Sequence, residues 1–344
     1  MAKIEAIDLF CGVGGLTSGL ITSGIKVIAG IDVDKSCRYP FEANHPEACF
    51  HEQDVSALKG TQLTGMWSPG AIRLLAGCAP CQPFSSYTLG KGSSHEKWGM
   101  LDHFGRLVKE SMPDIVTMEN VPGLQKHEPF HKFLKTLKKF GFHVVYDVLN
   151  AADYGVPQQR KRLVLLASRY GVISLPKPTH LGKERWVTVR AAISHLPKLQ
   201  QGRASSADVI HRAASLSPLN LKRIRASKPG GTWRDWPNEL VAACHKKESG
   251  KHSAGVYDRM VWDAPAPTMT TQCNGFGNGR YGHPEQNRAI SLREAAIFQS
   301  FPNDYIFAEE GTKVSVSTVA RHIGNAVPPK LAEAVGRQLI ITHC

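Results

Sequence analysis

Long hydrophobic runs are missing from this 344-residue chain. None reaches the ~18 consecutive apolar residues of a membrane-spanning helix, and Met1 to Asp8 lacks the apolar core of a secretory signal, so a cytoplasmic protein without a membrane is expected. Acidic residues are also short, with 29 Asp and Glu against 42 Lys and Arg, a formal charge of +13 and a pI near 9.4. A balance this basic favours a polyanionic partner, nucleic acid first. Cysteine is scattered: Cys11, Cys37, Cys49, Cys78, Cys81, Cys244, Cys273 and Cys344 form no compact disulfide framework and read as thiols of a reducing compartment. Cys78 and Cys81 make one CxxC, but zinc needs a second pair, and the thioredoxin-like surroundings of a redox pair are absent too, so no metal is expected. There is no internal repeat or low-complexity tract. What is present, 42% hydrophobic and 21% charged residues, excludes a disordered or fibrous chain. The length suits roughly two domains of ~150 residues each.

Short apolar runs at Ile4 to Phe10, Lys26 to Ile31, Ile72 to Ala76, Ile115 to Met118, Val144 to Leu149 and Leu163 to Ala167 read as strands of a mostly parallel sheet covered on both faces. Between the last three, Phe130, Phe133, Leu134 and Leu137 recur at helical spacing before Gly141. A doubly wound α/β domain is expected, Rossmann-like in its winding. Past residue 170 the periodicity fades and Pro, Gly and Trp mix with basic residues. Residues 171–287 hold 17 Lys and Arg against 8 Asp and Glu, most of the charge excess, and read as a second, smaller, irregular domain. Regularity returns with Ser291 and Glu294 in a capping-box pattern, Ser317 as a further cap, and a final helix opened by Pro328 and Pro329. Its stripe of Leu331, Ala334, Val335 and Leu339 needs cover, so the carboxyl terminus should return to the first domain. The expected domains are 1–170 plus 288–344, and 171–287.

Four strand ends carry candidate chemistry, because ligands of open α/β sheets bind at the carboxyl ends of the strands. The first strand runs into Asp8-Leu9-Phe10-Cys11-Gly12-Val13-Gly14-Gly15, whose glycines permit a tight turn and close approach to a ligand, or serve only as a strand-to-helix connection. About 20 residues on, Asp32 or Asp34 is placed to accept ribose hydroxyls, or to cap the next helix. Together these suggest an adenosine-containing cofactor. The third strand delivers Cys78-Ala79-Pro80-Cys81-Gln82 ahead of a Gly/Ser-rich stretch, the setting of a nucleophile under a mobile loop or of a plain buried cysteine. Ile115 to Met118 delivers Glu119 to the same edge. Gln158, Arg160 and Arg162 alternate before the last strand, so in extended chain they share one face that clamps phosphate or a base oxygen, or is merely a solvated basic edge.

In their order these segments resemble the cytosine carbon-5 DNA methyltransferases: DLFCGVGG, the acid of GIDVD, GCAPCQPFS, ENVPG, YGVPQQRKR, SLREAAIFQSFP and HIGNAVPPKLAEAVG. The set spans residues 8 to about 336 and leaves only 171–287 without a shared motif. The resemblance implies S-adenosylmethionine as cofactor, with Phe10, Gly12, Gly14, Gly15, Asp32, Asp54, Pro80 and Asn325 around it. It implies Cys81 as the nucleophile that adds to cytosine carbon 6, Glu119 as donor to ring nitrogen 3, and Arg160 and Arg162 steadying the base oxygen and a phosphate. The target base would be flipped out of a DNA duplex, with Gln82, Ser85 and Gln158 near it. Residues 171–287 would then recognise the target sequence, with Thr268 to Thr271, Asn274 and Arg280 as candidates and Thr270 and Arg280 foremost. A monomer functionally paired with a restriction endonuclease is the implied setting. A tRNA cytosine methyltransferase and a non-catalytic DNA-binding relative are the alternatives.

Overall fold

The computed structural model describes residues 3–80, 99–248 and 255–343. A seven-stranded sheet organises the first part of the chain: β1 (Ile4–Leu9), β2 (Lys26–Asp32), β3 (Cys49–Glu52), β4 (Ile72–Gly77), β5 (Ile115–Asn120), β6 (His143–Asn150) and β7 (Lys161–Ser168), in the order β3-β2-β1-β4-β5-β7-β6. The first five run parallel; β7 lies antiparallel to both β5 and β6. The six expected strands are all present. The seventh, β3, is four residues long and only Phe50 in it is buried, too weak a pattern to read from sequence. The buried stretches of β4 and β7 explain why Leu74 to Ala76 and Leu163 to Ala167 are continuous rather than alternating apolar runs.

The helix that follows β1, α1 (Gly15–Ser23), lies against the last helix, Pro329–His343. The two backbones come so close that a Cβ on Gly19 would sit 2.3 Å from the Pro329 carbonyl oxygen, and one on Gly336 would sit 2.1 Å from the Ser23 hydroxyl. Leu331, Val335 and Leu339 are buried, and the carboxyl-terminal helix does return to the first unit. The helix expected near 130–140 spans Glu128–Lys139, and Phe130, Phe133, Leu134 and Leu137 are its buried residues.

By compactness the chain divides into one unit of residues 1–154, 161–179 and 326–344 and another of 155–160 and 180–325. This differs from a division at 170 and 288: the stretch 288–325 belongs with the second unit. The helix Leu292–Phe298 is bound there by its own residues. Its Ser291/Glu294 capping box forms as expected, but Arg293 pairs with Asp208 at 2.6 Å and the Ser291 hydroxyl lies 2.9 Å from His211 Nδ1. Ser317 does not cap the next helix, which begins at Val316 and so contains it.

The second unit has little regular structure, and its backbone is satisfied by side chains instead. Arg259 donates to the carbonyls of Ile224, Ser227, His283 and Gln286 and to the side chain of Asn287. Five directed donors on one planar group can serve several carbonyls that a sheet ladder would otherwise pair. Ile224, Trp233, Trp236, Phe276 and Ala289 make its apolar core, and the Trp233 and His245 rings stack with centroids 4.4 Å apart. Among the described residues no helix is long and apolar enough to cross a membrane.

Candidate active site

At the carboxyl edge of the sheet, β1 ends at Leu9 and the chain turns through Phe10, whose φ of +58° is a left-handed conformation that costs a bulky residue free energy. Cys11 N–H still donates to Ile31 O on β2, and the Gly14 amide closes the turn on Cys11 O, so the strain is held from both sides. Gly14 adopts φ +89° as the cap of α1; a Cβ there would strike the His45 ring at 2.3 Å. Around Gly12, φ +52°, a Cβ would meet nothing within 4 Å, so this part of the turn faces open space.

Asp32, the last residue of β2, reaches across to this turn. Its Oδ2 accepts the Gly12 amide and its Oδ1 the Asp34 amide, each at 2.9 Å. Burial pushes its carboxyl above the usual range despite those two donors. A carboxylate accepts only, so it can take hydrogen bonds that sugar hydroxyls would donate. With open space at Gly12 and a half-buried Phe10 beside it, the turn suits an adenosine-containing group. Below it, Asp8 is 1% exposed; its Oδ2 accepts the Thr17 hydroxyl at 2.7 Å while its Oδ1 has no partner. Burial, reinforced by the charge of Asp32, pushes the Asp8 carboxyl up to about 7. Cys11 is buried, and its thiol is pushed up by burial and by both aspartates, which excludes it as a ready nucleophile. Asp54 is exposed and accepts the Ser56 amide at 2.8 Å; that amide and the Ser56 hydroxyl lower its carboxyl.

Two strands away, the parallel register of β4 and β5 pairs Gly77 with Met118. The same register continues past the end of β4. Cys78 Sγ donates to Glu119 Oε2 at 3.1 Å, and Asn120 Nδ2 donates to Ala79 O at 2.9 Å. Glu119 is 6% exposed. On its other side Arg162 Nε, at the start of β7, stands 3.1 Å from Oε1, an ion pair that lacks the alignment of a hydrogen bond. A carboxyl is therefore held at the sheet edge between a guanidinium and a thiol. Pro80 follows Ala79 and is exposed; Cys81, Gln82 and Ser85 lie outside the described residues.

Gln158, Arg160 and Arg162 do not share one face. The chain passes from the second unit to the first between residues 160 and 161, and only Arg162 reaches Glu119. Gln158 is fully buried: its Nε2 donates to Phe298 O and Gln299 Oε1, and its Oε1 accepts the Met269 amide. Both amide hydrogens of Gln158 are thus committed within the second unit, and its oxygen accepts one bond there. Arg160, 2% exposed, donates to Met269 O at 2.9 Å and to Gly324 O at 3.1 Å, so its two terminal nitrogens serve backbone carbonyls of the second unit. Asn325, the next residue, ends its helix exposed. Thr270 is exposed and its hydroxyl accepts from Tyr281, while Arg280 is exposed within the electrostatic reach of Asp258.

Sequence reasoning treated Cys78 only as half of a CxxC and did not single out Asn120 or Asp8. The strand spans alone gave no signal for the first two, since it is the register of β4 against β5 that sets 78 beside 119 and 79 beside 120.

A family model described as C-5 cytosine-specific DNA methylase matches residues 4–341. The Type II methylase M.HgiDII of Herpetosiphon aurantiacus is 50% identical over 336 residues, covering 97% of this chain and 94% of that protein. The Type II methyltransferase M1.HphI of Haemophilus parahaemolyticus is 32% identical over 344 residues, covering 98% and 87%. In fold the chain is similar to a putative DNA modification methyltransferase encoded within an E. coli prophage, with a TM-score of 0.76 at 22% identity over 98% of this chain and 99% of that one. It is also similar to a Spodoptera frugiperda DNMT2 mutant, with a TM-score of 0.65 at 17% identity over 98% and 100%.

Proposed function

The chain belongs to the C-5 cytosine-specific DNA methylases and is a DNA cytosine methyltransferase of the restriction-modification type, and from that premise we infer how its residues perform the reaction. The observation that carries the reading is the Glu119 carboxyl, buried at the sheet edge against Arg162. Carbon 5 of cytosine is a weak nucleophile. Addition of a thiolate to carbon 6 turns the ring into an enamine, which is a strong one. Cys81, three residues beyond Cys78, is the nucleophile in this reading. As electron density builds on the ring, Glu119 delivers a proton to ring nitrogen 3 and Arg162 steadies the base oxygen and the adjoining charge. Loss of the carbon 5 proton and expulsion of Cys81 complete the exchange. Arg160, committed to Met269 and Gly324, serves by holding those two backbone segments together.

Family membership implies S-adenosylmethionine, and the Gly12 turn fits it: Asp32 takes the ribose hydroxyls, Phe10 the adenine face, Gly12, Gly14 and Gly15 the methionine part, with Asp54, Pro80 and Asn325 contributing to its binding. Bound there, the cofactor supplies an electrophilic methyl group. A stacked base is out of reach of this chemistry, so the target cytosine is flipped out of the duplex at a cost of a few kcal/mol. Gln82 and Ser85 belong to the stretch that meets it. The basic excess of 171–287 supplies phosphate affinity, and Thr270 and Arg280 are exposed there to read bases. In this reading a restriction endonuclease of matching sequence is the functional partner.

Methyl transfer from labelled cofactor into duplex DNA and into tRNA tests the reading. Label in DNA with bisulfite-resolved 5-methylcytosine at one sequence is expected; label in tRNA alone would overturn it.

A further inference from the structure

The chemistry inferred above gives the Cys78 thiol no task, yet the structure sets it on the carboxyl that carries the reaction. Cys78 Sγ lies 3.1 Å from Glu119 Oε2, while Arg162 stands on the opposite oxygen. The contact follows from the fold rather than from a chance rotamer. With Gly77 paired to Met118 in parallel register, the next residue of each strand is Cys78 and Glu119, and the residue after that repeats the link through Asn120 and Ala79. Two consecutive cross-strand bonds thus tie the chain leading to Cys81 to the chain that carries Glu119.

We propose that Cys78 is a positioning residue, holding the Glu119 carboxyl in the orientation from which it serves the cytosine ring. The inference rests on the role of Glu119 proposed above. Physically, a general acid must be held through a full cycle in which it is alternately ionised and neutral. A guanidinium can only donate, so Arg162 loses much of its hold when the carboxyl takes up a proton. A thiol both donates and accepts. It donates S–H to the carboxylate, and it can turn with the protonated acid to donate to its carbonyl oxygen, or to accept while the acid's proton is not on the ring. The contact at Oε2 thus persists through both states and leaves the proton free to go to nitrogen 3. The proton itself remains on the carboxyl, and no electron or bond passes to sulfur.

The test is steady-state and single-turnover methyl transfer into duplex DNA by Cys78→Ala and Cys78→Ser, with thermal unfolding of each. Cys78→Ala is expected to lower kcat by about tenfold to a hundredfold, the range for losing a hydrogen bond to a charged group. The KM for DNA and the melting temperature should stay near those of the parent. Cys78→Ser, whose hydroxyl also donates and accepts, should recover most of the loss. In a Glu119→Gln background the Ala replacement should cost nothing further, because it acts through the carboxyl. Parent-like kcat in Cys78→Ala overturns the proposal, as does a loss that Ser does not restore or one that multiplies with Glu119→Gln. If Cys78→Ala fails to fold, Cys78→Val, close in size and unable to bond the carboxyl, takes its place in the same double-variant comparison. A parent protein that labels no DNA removes the functional reading itself; a labelling parent with an indifferent Cys78 removes this inference alone.

Discussion

Arg288 and Glu294 form a two-pronged ion pair in the second unit, with both N···O distances 2.7 Å and both side chains 1% exposed. Burial alone would push the Glu294 carboxyl up, but the Arg288 hydrogen bonds and charge outweigh it and hold it below the usual range. The same carboxyl closes the capping box on the Ser291 amide. Removing one partner strands a buried charge, so Glu294→Gln is expected to destabilise the protein by about 3–5 kcal/mol. Denaturant unfolding checks this, and a Glu294→Gln variant within ~0.5 kcal/mol of the parent would show that the pair contributes nothing.

Glu119→Gln keeps the shape of the side chain and its neighbours but removes the transferable proton. Single-turnover methyl transfer should fall by about a hundredfold to ten-thousandfold, the range for a positioned general acid. Arg162→Lys keeps the charge and loses the planar fork, and should fall less than Arg162→Ala. Equal rates for Glu119→Gln and the parent would rule out the acid role.

Cys81→Ser should abolish methylation while duplex binding persists, since phosphate contacts supply most of the affinity. A duplex carrying 5-fluorocytosine should trap the parent as an adduct stable on a denaturing gel, because fluorine replaces the proton that must leave. The Ser variant should give none. An adduct of equal yield with Cys81→Ser would assign the nucleophile elsewhere.

Asp8 predicts an unusual pH dependence. Burial raises its carboxyl to about 7 in the folded protein from a value near ~4 when unfolded. Across that window the native state binds the extra proton, so this group's contribution is present at pH 4 and is lost as pH rises through 7. His45 and His283, both pushed down to about 4 by burial, act oppositely and destabilise as pH falls below ~6.5. The difference between Asp8→Asn and the parent isolates the aspartate. The variant should gain stability relative to the parent, by an amount on the order of a few kcal/mol, between pH 5 and pH 8. A difference that is flat with pH would contradict a buried, unpaired Oδ1.

Gln158→Leu should destabilise by about 1–3 kcal/mol, since it strands the Met269 amide and the Phe298 carbonyl without a partner. Its DNA affinity at temperatures where it is folded should match the parent, measured by salt-dependent binding. A selective loss of DNA binding with unchanged stability would restore Gln158 to the interface.

Local chemistry made much of this legible. Continuous apolar runs announced β4 and β7 because strands buried on both faces need no alternation, and Ser291 with Glu294 announced a helix start because that pair satisfies two amides within four residues. The glycine turn, Asp32 and Glu119 were legible too, since a strand end fixes where the next side chain emerges. The short β3, the start of the helix at Val316 and the partners of Gln158 were not, because each depends on residues far along the chain.

By itself, the sequence determined which chemical groups this methyltransferase has and the order in which the sheet edge presents them. Only the tertiary structure decided which of those groups meet. An extended QxRxR run cannot reveal that Gln158 and Arg160 are spent on Met269, Phe298, Gln299 and Gly324 while Arg162 alone reaches Glu119. Nor can it reveal that Cys78 stands against that carboxyl. Hydrogen bonds go to whatever the fold brings within about 3 Å, and backbone carbonyls more than a hundred residues away compete for an arginine as well as any substrate does.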